Sequence, residues 1–461
     1  MKRPDFIESF ARTFERSALV DLARAARWLQ RKSKIDALEF IAGLVFGQMS
    51  ALHLTLNAQS DCYSAPVSRQ AVDQRYHART VEFFRSVFDH CLERSLALPP
   101  APSLHATLAA HFAAVHLVDS TAFDCPASLA KLYPGCGGDA SAANVKVLLR
   151  YEYLHSQFVP VALVPGKRSD QGLAGMLSAL MKINELLIAD KAFVKVAVLR
   201  EIAQAGAYFL LPWPRSLGLW LRPAAELASN GPPAALDLAA RLRATPETER
   251  FVAFPAVQLG AQAEAPVVRL VAFRLHEESA NRARAGVREA HRKKGRTPTK
   301  EALELAGWLI LFTNAPEEKL PTQAIAYLYR VRWQIELVFK QCKSVLRINV
   351  TEARTNSFRV QCEIWARLIG AVVVFAWHGH LQAASWAREK SEISFAQVAR
   401  RIQTRGLTLA HAFIAGAQRL EDALWSTWNH LLKTTRQGRQ RTRQTTWQTL
   451  QENWLAPTET P

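Results

Sequence analysis

The chain has 461 residues, more than one hydrophobic core usually serves, and its 49% apolar content is enough for two to four structural units. Its 58 Lys and Arg outnumber 40 Asp and Glu, and a net charge of +18 calls for a polyanionic partner (DNA, RNA or an anionic membrane) while saying nothing about fold. Six cysteines, Cys62, Cys91, Cys125, Cys136, Cys342 and Cys362, form no CxxC pair and have no clustered histidine, which excludes a zinc site and a disulfide framework and predicts reduced, packed thiols. The opening MKRPDFIESFARTFERS is charged throughout, unlike a signal peptide. The apolar run from Leu368 to Trp377 is far below the roughly 20 residues a membrane span needs, so a cytoplasmic protein without a membrane partner is expected.

Residues 1 to about 105 read helical, with apolar residues at helical spacing in FIESFARTFERSALVDLARAARWLQ and ALEFIAGLVFGQMSALHLTL, and LALPPAPSL closing the region. Ser68 can cap a helix beginning SRQAVDQRYHARTVEFFRSVF, whose first turns carry Arg69, Gln70, Gln74, Arg75 and His77. Such a helix fits either a groove of DNA or an ordinary solvated basic face.

From His116 the period becomes extended. VHLVDSTAFD, VKVLLRYEYLHSQFVPVALVPG, ELLIADKAF and AYFLLPW read as strands, the middle two joined by a short hairpin and the last two separated by the helix VKVAVLREIAQAG. The pattern predicts an α/β architecture, a mixed α+β sheet flanked by helices. Asp119 closes the run VHLVD and Asp190 closes LLIAD. A carboxylate ending a buried strand stands where ligands collect, and it can equally cap the following turn.

Residues 214–307 interrupt the pattern and read as an inserted, partly β subdomain. It ends in the basic run RARAGVREAHRKKGRTPTK, a charged arm that is either a solvated loop or a tracker of phosphates. GWLILFTNAPEEKLPTQAIAYLYRVRWQ then supplies a strand, a turn at Asn314 to Pro316 and a helix. The rest, 351–461, is again helical, with a basic tail that reads as disorder or as an arm for DNA.

The block YRVRWQIELVFKQCK carries the chemistry. Tyr329, Arg332, Glu336 and Lys343 advance by three, four and seven residues, which on an unbroken helix puts them on one face, with Lys340 four after Glu336. One carboxylate among cations can hold a divalent metal over a phosphodiester while the cations grip its oxygens; the same spacing also fits a solvated face laced with weak ion pairs.

VDST at Asp119, LLIADKAF at Asp190 and the Tyr329, Arg332, Glu336, Lys343 block, in that order, resemble the DDE transposases of the insertion-sequence-four family across nearly the whole chain. The resemblance implies an RNase H-like catalytic core with a largely β insertion, between helical N- and C-terminal regions. The divisions are 1–105 for a DNA-end-binding domain, 106–213 and 308–350 for the core, 214–307 for the insertion, and 351–461 for dimerisation. It implies a Mg²⁺-dependent enzyme that cleaves transposon ends and joins them to target DNA through a hairpin. Two ions, replaceable by Mn²⁺, are then held by Asp119, Asp190 and Glu336. Tyr329, Arg332, Lys340 and Lys343 bind DNA phosphates, and Trp308 stacks a flipped base unless it is a core tryptophan. Partners implied are double-stranded DNA, as terminal inverted repeats and as target, and a second copy in a synaptic complex on the nucleoid. One departure is Lys191-Ala192 after the second Asp, where the family commonly has Arg-Gly. A metal-dependent nuclease without strand transfer, or a transposase-derived DNA-binding protein, are the other classes open to this sequence.

Overall fold

The computed structural model describes residues 4–31, 33–50, 54–97, 106–137, 141–221, 234–262, 264–389 and 391–436, without the side chains of 95–97 and 106. Its strands are β1 (Ala114–Cys125), β2 (Ala143–Glu152), β3 (Gln157–Pro165), β4 (Glu185–Ala189), β5 (Tyr208–Pro212), β6 (Leu219–Leu221), β7 (Ala234–Ala235), β8 (Phe251–Leu259), β9 (Val267–Arg274) and β10 (Trp308–Thr313). The chain forms two compact units. The first is drawn from Met1–Leu104, Ser120–Arg168 and Ile335–Arg441, the second from His105–Asp119 and Ser169–Gln334.

The first unit is built on the helix Ser357–Glu389, whose apolar residues leave almost no wet face: Val360, Ile364, Leu368, Phe375 and Trp377 are all buried. That helix is long and apolar enough to cross a membrane, but 89% of its apolar window is buried within the protein, which makes it a core helix. Against it lie Ala78–Ala97 and Ala37–Met49, the latter buried along its whole length and started by Asp36, whose carboxylate accepts from Leu38 N at 2.9 Å. The antiparallel β2–β3 hairpin packs on the same helix, with Phe158 stacked on Phe375 at 4.7 Å between centroids. Gly379 permits this approach, since a Cβ there would come within 2.8 Å of the His155 carbonyl. The second half of β1 completes the order β3-β2-β1 in this unit.

The second unit holds the first half of β1 in a sheet of order β1-β4-β5-β10-β9-β8-β6-β7. β1, β4 and β5 are parallel, with Val196–Gln204 as the crossover between the last two, while β10 is antiparallel to both β5 and β9. The inserted strands β6–β9 therefore extend the sheet of the core; β10 is where they join it. The parallel strands of the second unit, the antiparallel hairpin of the first and the helical flanks give the mixed α/β, RNase H-like fold class expected from the sequence.

Several elements differ from the sequence reading. The helix expected from Ser68 is two, Arg69–Asp73 and Ala78–Ala97, because Thr80 Oγ1 accepts from His77 N at 3.2 Å and starts the second helix afresh. The first part of the basic run is helix rather than loop: RARAGVREAHR lies in Glu277–Arg292, whose acidic first turn and pairs Arg284–Glu277 (3.2 Å) and Arg292–Glu289 (2.7 Å) favour helix. All six thiols are free as expected; four are buried, Cys62 is half-buried, and Cys136 is exposed rather than packed. The end of LALPPAPSL and the tail beyond Arg436 lie outside the described residues.

Candidate active site

β1 and β4 are in register from Ala114↔Glu185 to Val118↔Ala189. The apolar run of each strand is buried up to that last pair, and the next residue on each is an aspartate, Asp119 and Asp190, both half-buried. Neighbouring strands run about 4.8 Å apart, so the two aspartates stand at adjacent strand ends. Asp190 also does the bland job anticipated for it, accepting from Lys191 N at 2.7 Å to start the short turn Lys191–Phe193. Lys191 and Ala192 support that turn without glycine.

The tyrosine-to-lysine block is not one helix. Thr322–Arg330 ends at a tight turn in which Val331 N donates to Leu328 O and Arg332 N to Tyr329 O, both at 3.0 Å, and a new helix runs Trp333–Ser344. Closing three residues apart instead of four overwinds the chain here, so the spacing of an unbroken helix does not apply across the turn. Trp333 is 55% exposed, while Ile335, Val338 and Phe339 are buried.

Tyr329 and Arg332 nonetheless belong with the aspartates in the second unit. The Arg332 guanidinium lies 5.8 Å from the Tyr329 ring centroid and is hydrogen-bonded to its hydroxyl. Burial, opposed by Arg332 and reinforced by the charges of Asp190 and Asp119, pushes Tyr329 up to about 12. At neutral pH the phenol is thus an uncharged donor beside two carboxylates.

Glu336, Lys340 and Lys343 belong to the first unit, at i, i+4 and i+7 on one side of Trp333–Ser344. Lys343 Nζ donates to the Ala122 carbonyl at 3.1 Å, fastening this helix to β1 three residues past Asp119, and burial lowers its proton affinity. Lys340 is exposed. Among the described residues no group of three or more His, Cys, Asp or Glu side chains is placed to hold an ion. Two hard carboxylates side by side are still a donor set suited to Mg²⁺, which takes one or two carboxylates together with substrate phosphate oxygens.

Trp308 opens β10, half-buried and directly opposite Arg274 of β9. The Arg274 guanidinium covers the indole at 4.3 Å and also donates to the carbonyls of Thr245 and Pro246, each at 3.0 Å. Both line a cavity of about 260 Å³ with Arg243, Arg284 and Glu304. Sequence reasoning missed Arg274, because only the strand register sets it against the ring; an Arg ending an apolar strand was the one available signal. Thr121, two after Asp119, is buried as a support of the strand.

The family model described as Transposase DDE domain matches residues 111–372. Over 451 residues the chain is 25% identical to the transposase for insertion sequence element IS231B of Bacillus thuringiensis subsp. berliner, spanning 95% of this chain and 93% of that protein. It is 25% identical over 377 residues to the transposase for IS1151 of Clostridium perfringens, 79% of each. A structure of the piggyBac transposase synaptic complex with hairpin DNA is 10% identical, covering 99% of this chain and 84% of that one, with a TM-score of 0.44. With that family model spanning both aspartates, Trp308 and the whole block to Lys343, the chain belongs to the DDE transposases, in the insertion-sequence-four group that its motifs resemble.

Proposed function

We propose that this protein cleaves the ends of its insertion sequence and joins them to target DNA by two-metal phosphoryl transfer, through a hairpin. The observation that carries the reading is the register-matched pair Asp119 and Asp190 with the Tyr329 phenol and Arg332 beside it. In this reading Glu336 joins the pair, and the three acids hold two Mg²⁺ ions, or Mn²⁺ in their place. Bound there, the ions supply an activated attacking oxygen and stabilise the leaving one.

The protein's own groups do the positioning. Tyr329, neutral at working pH, donates to a phosphate oxygen, and Arg332 offers two parallel donors to the same group. Lys340 and Lys343 hold the strand further along. Trp308, steadied by Arg274, takes the base unstacked when the strand bends into a hairpin. The N-terminal helices, 1–105, bind the terminal inverted repeats, the insertion 214–307 completes the core, and the helical 351–461 pairs two copies in the synaptic complex. The setting is the cytoplasm, on the nucleoid. The similar proteins named as transposases of insertion sequence elements support DNA as substrate.

The test uses the full chain, Mg²⁺ and duplexes taken from the DNA flanking its gene. Asp119→Ala, Asp190→Ala and Glu336→Ala are each expected to bind DNA and not cut it; substantial cutting by any one removes that acid from the site. Cutting by the wild type without joining would leave a nuclease. Trp308→Ala should slow hairpin formation after nicking, and unchanged rates for both steps would reject its role.

A further inference from the structure

In the first unit the segments 33–35 and 66–77 line an open cleft of about 550 Å³ whose polar residues are Ser33, Lys34, Ser68, Gln74, Arg75 and His77. Among the described residues no aspartate or glutamate lines it. Arg75 is held in place twice: its guanidinium lies over the Trp28 ring at 5.0 Å, and it donates to Ser33 Oγ. Trp28 is itself fixed, buried between Phe40 and Phe83 with centroids at 5.1 and 5.2 Å. A guanidinium clamped this way has lost its rotamer freedom before any ligand arrives, and the remaining donors of its fork are free to serve one.

The other lining groups suit the same ligand. Lys34 is exposed, and so are Gln74 and, next along the chain, Arg69 and Gln70 on the short helix capped by Ser68. Burial first, then Arg79 and Arg75, lower the proton affinity of His77, so at neutral pH its imidazole is an uncharged donor. Hydroxyls, an amide, an imidazole and two cations form a lining able to give hydrogen bonds to an oxyanion seated in the cleft. The volume exceeds that of a single phosphate and falls within the range of ligand clefts, roughly 300–1,000 Å³, so it accommodates a stretch of strand.

We propose that this cleft grips the phosphodiester backbone of DNA, with Lys34 and Arg75 as its charged contacts, and that it fixes the position of the duplex without reading its sequence. The inference deepens the transposase reading and rests on DNA being the substrate. It differs from the groove-reading helix suggested by the sequence, because the cations meet backbone rather than base edges.

The experiment measures binding of the full chain to a flanking-DNA duplex and to a random duplex over a series of KCl concentrations. Lys34→Gln and Gln74→Glu both alter exposed side chains, and unchanged thermal midpoints confirm that they fold. Lys34→Gln is expected to weaken binding of both duplexes about tenfold at physiological salt. It should also flatten the slope of log Kd against log salt by about 0.9, the loss of one phosphate contact. Gln74→Glu, which sets a carboxylate in the cleft, should weaken both duplexes alike. Affinity within twofold of wild type and an unchanged slope in both variants would overturn the proposal, as would a loss confined to the flanking duplex, which marks base reading. Displacement of the duplex by inorganic phosphate at matched ionic strength would reassign the cleft to a free anion and overturn it too. A wild type that cuts DNA while Lys34→Gln binds normally sinks this inference alone; a wild type that binds no duplex sinks the transposase reading with it.

Discussion

Asp119 and Asp190 end neighbouring strands, and like charges so placed repel one another. Asp119→Asn is therefore expected to abolish the rise in thermal midpoint that Mg²⁺ gives the wild type and to stop cleavage, read by thermal shift and nicking assays together. Asp190 carries two jobs that substitution separates. Asparagine keeps the acceptor for Lys191 N and alanine removes it, so only Asp190→Ala should also lose about 1 kcal/mol of stability, while both lose cleavage. For Tyr329 the sign follows from a phenol pushed up to about 12 from an ordinary 10.0. The folded chain holds that proton more tightly than the unfolded one, so the contribution to stability is complete below pH 10 and is lost as pH climbs toward 12. In an alkaline titration Tyr329→Phe should hold its fold to higher pH than wild type, and an identical midpoint would contradict the environment described for the phenol.

At the scale of elements, the core helix Ser357–Glu389 carries a fully buried carboxylate, Glu363, which accepts from Arg359 Nε at 2.9 Å and from Glu352 N at 2.7 Å. Burial raises its proton affinity against the pull of Arg359 and of the backbone donors. Removing one partner of such a pair strands the other, so Glu363→Ala should cost about 3–5 kcal/mol, measured by denaturant unfolding. How legible such elements were depends on what fixes them. The strands VHLVD and LLIAD could be read because a buried parallel strand must be apolar and its first carboxylate must stand at an end. Their mutual register could not, and it is register that sets Asp119 beside Asp190 and Arg274 over Trp308. The break at Val331 and Arg332 was hidden for a similar reason, since helical spacing persists on both sides of a turn only two residues long. In the basic run the helix was hidden by the charge: Glu289 within it, and Glu277 and Glu278 just before it, were the better guide. The N-terminal cleft joins residues around 33 to residues around 75, a closure that periodicity does not encode.

At the scale of the whole chain, +18 spread over 461 residues predicts that DNA binding weakens steeply with salt, whatever the sequence of the duplex. The insertion gives a different kind of expectation. β10 takes hydrogen bonds from β5 on one side and from β9 on the other, so the inserted strands cover what would otherwise be an open sheet edge. A chain shortened by residues 214–307 should consequently be recovered as aggregate instead of a minimal core, and a soluble, monomeric product by size-exclusion chromatography would speak against that. The same seam limits how the family could trade parts. A graft that replaces the insertion of one transposase with that of another must carry β10 along with β8 and β9, because a donor segment cut at 307 would leave its last ladder unmatched. Hybrids with the junction placed after Thr313 should express, and those with the junction before Trp308 should not.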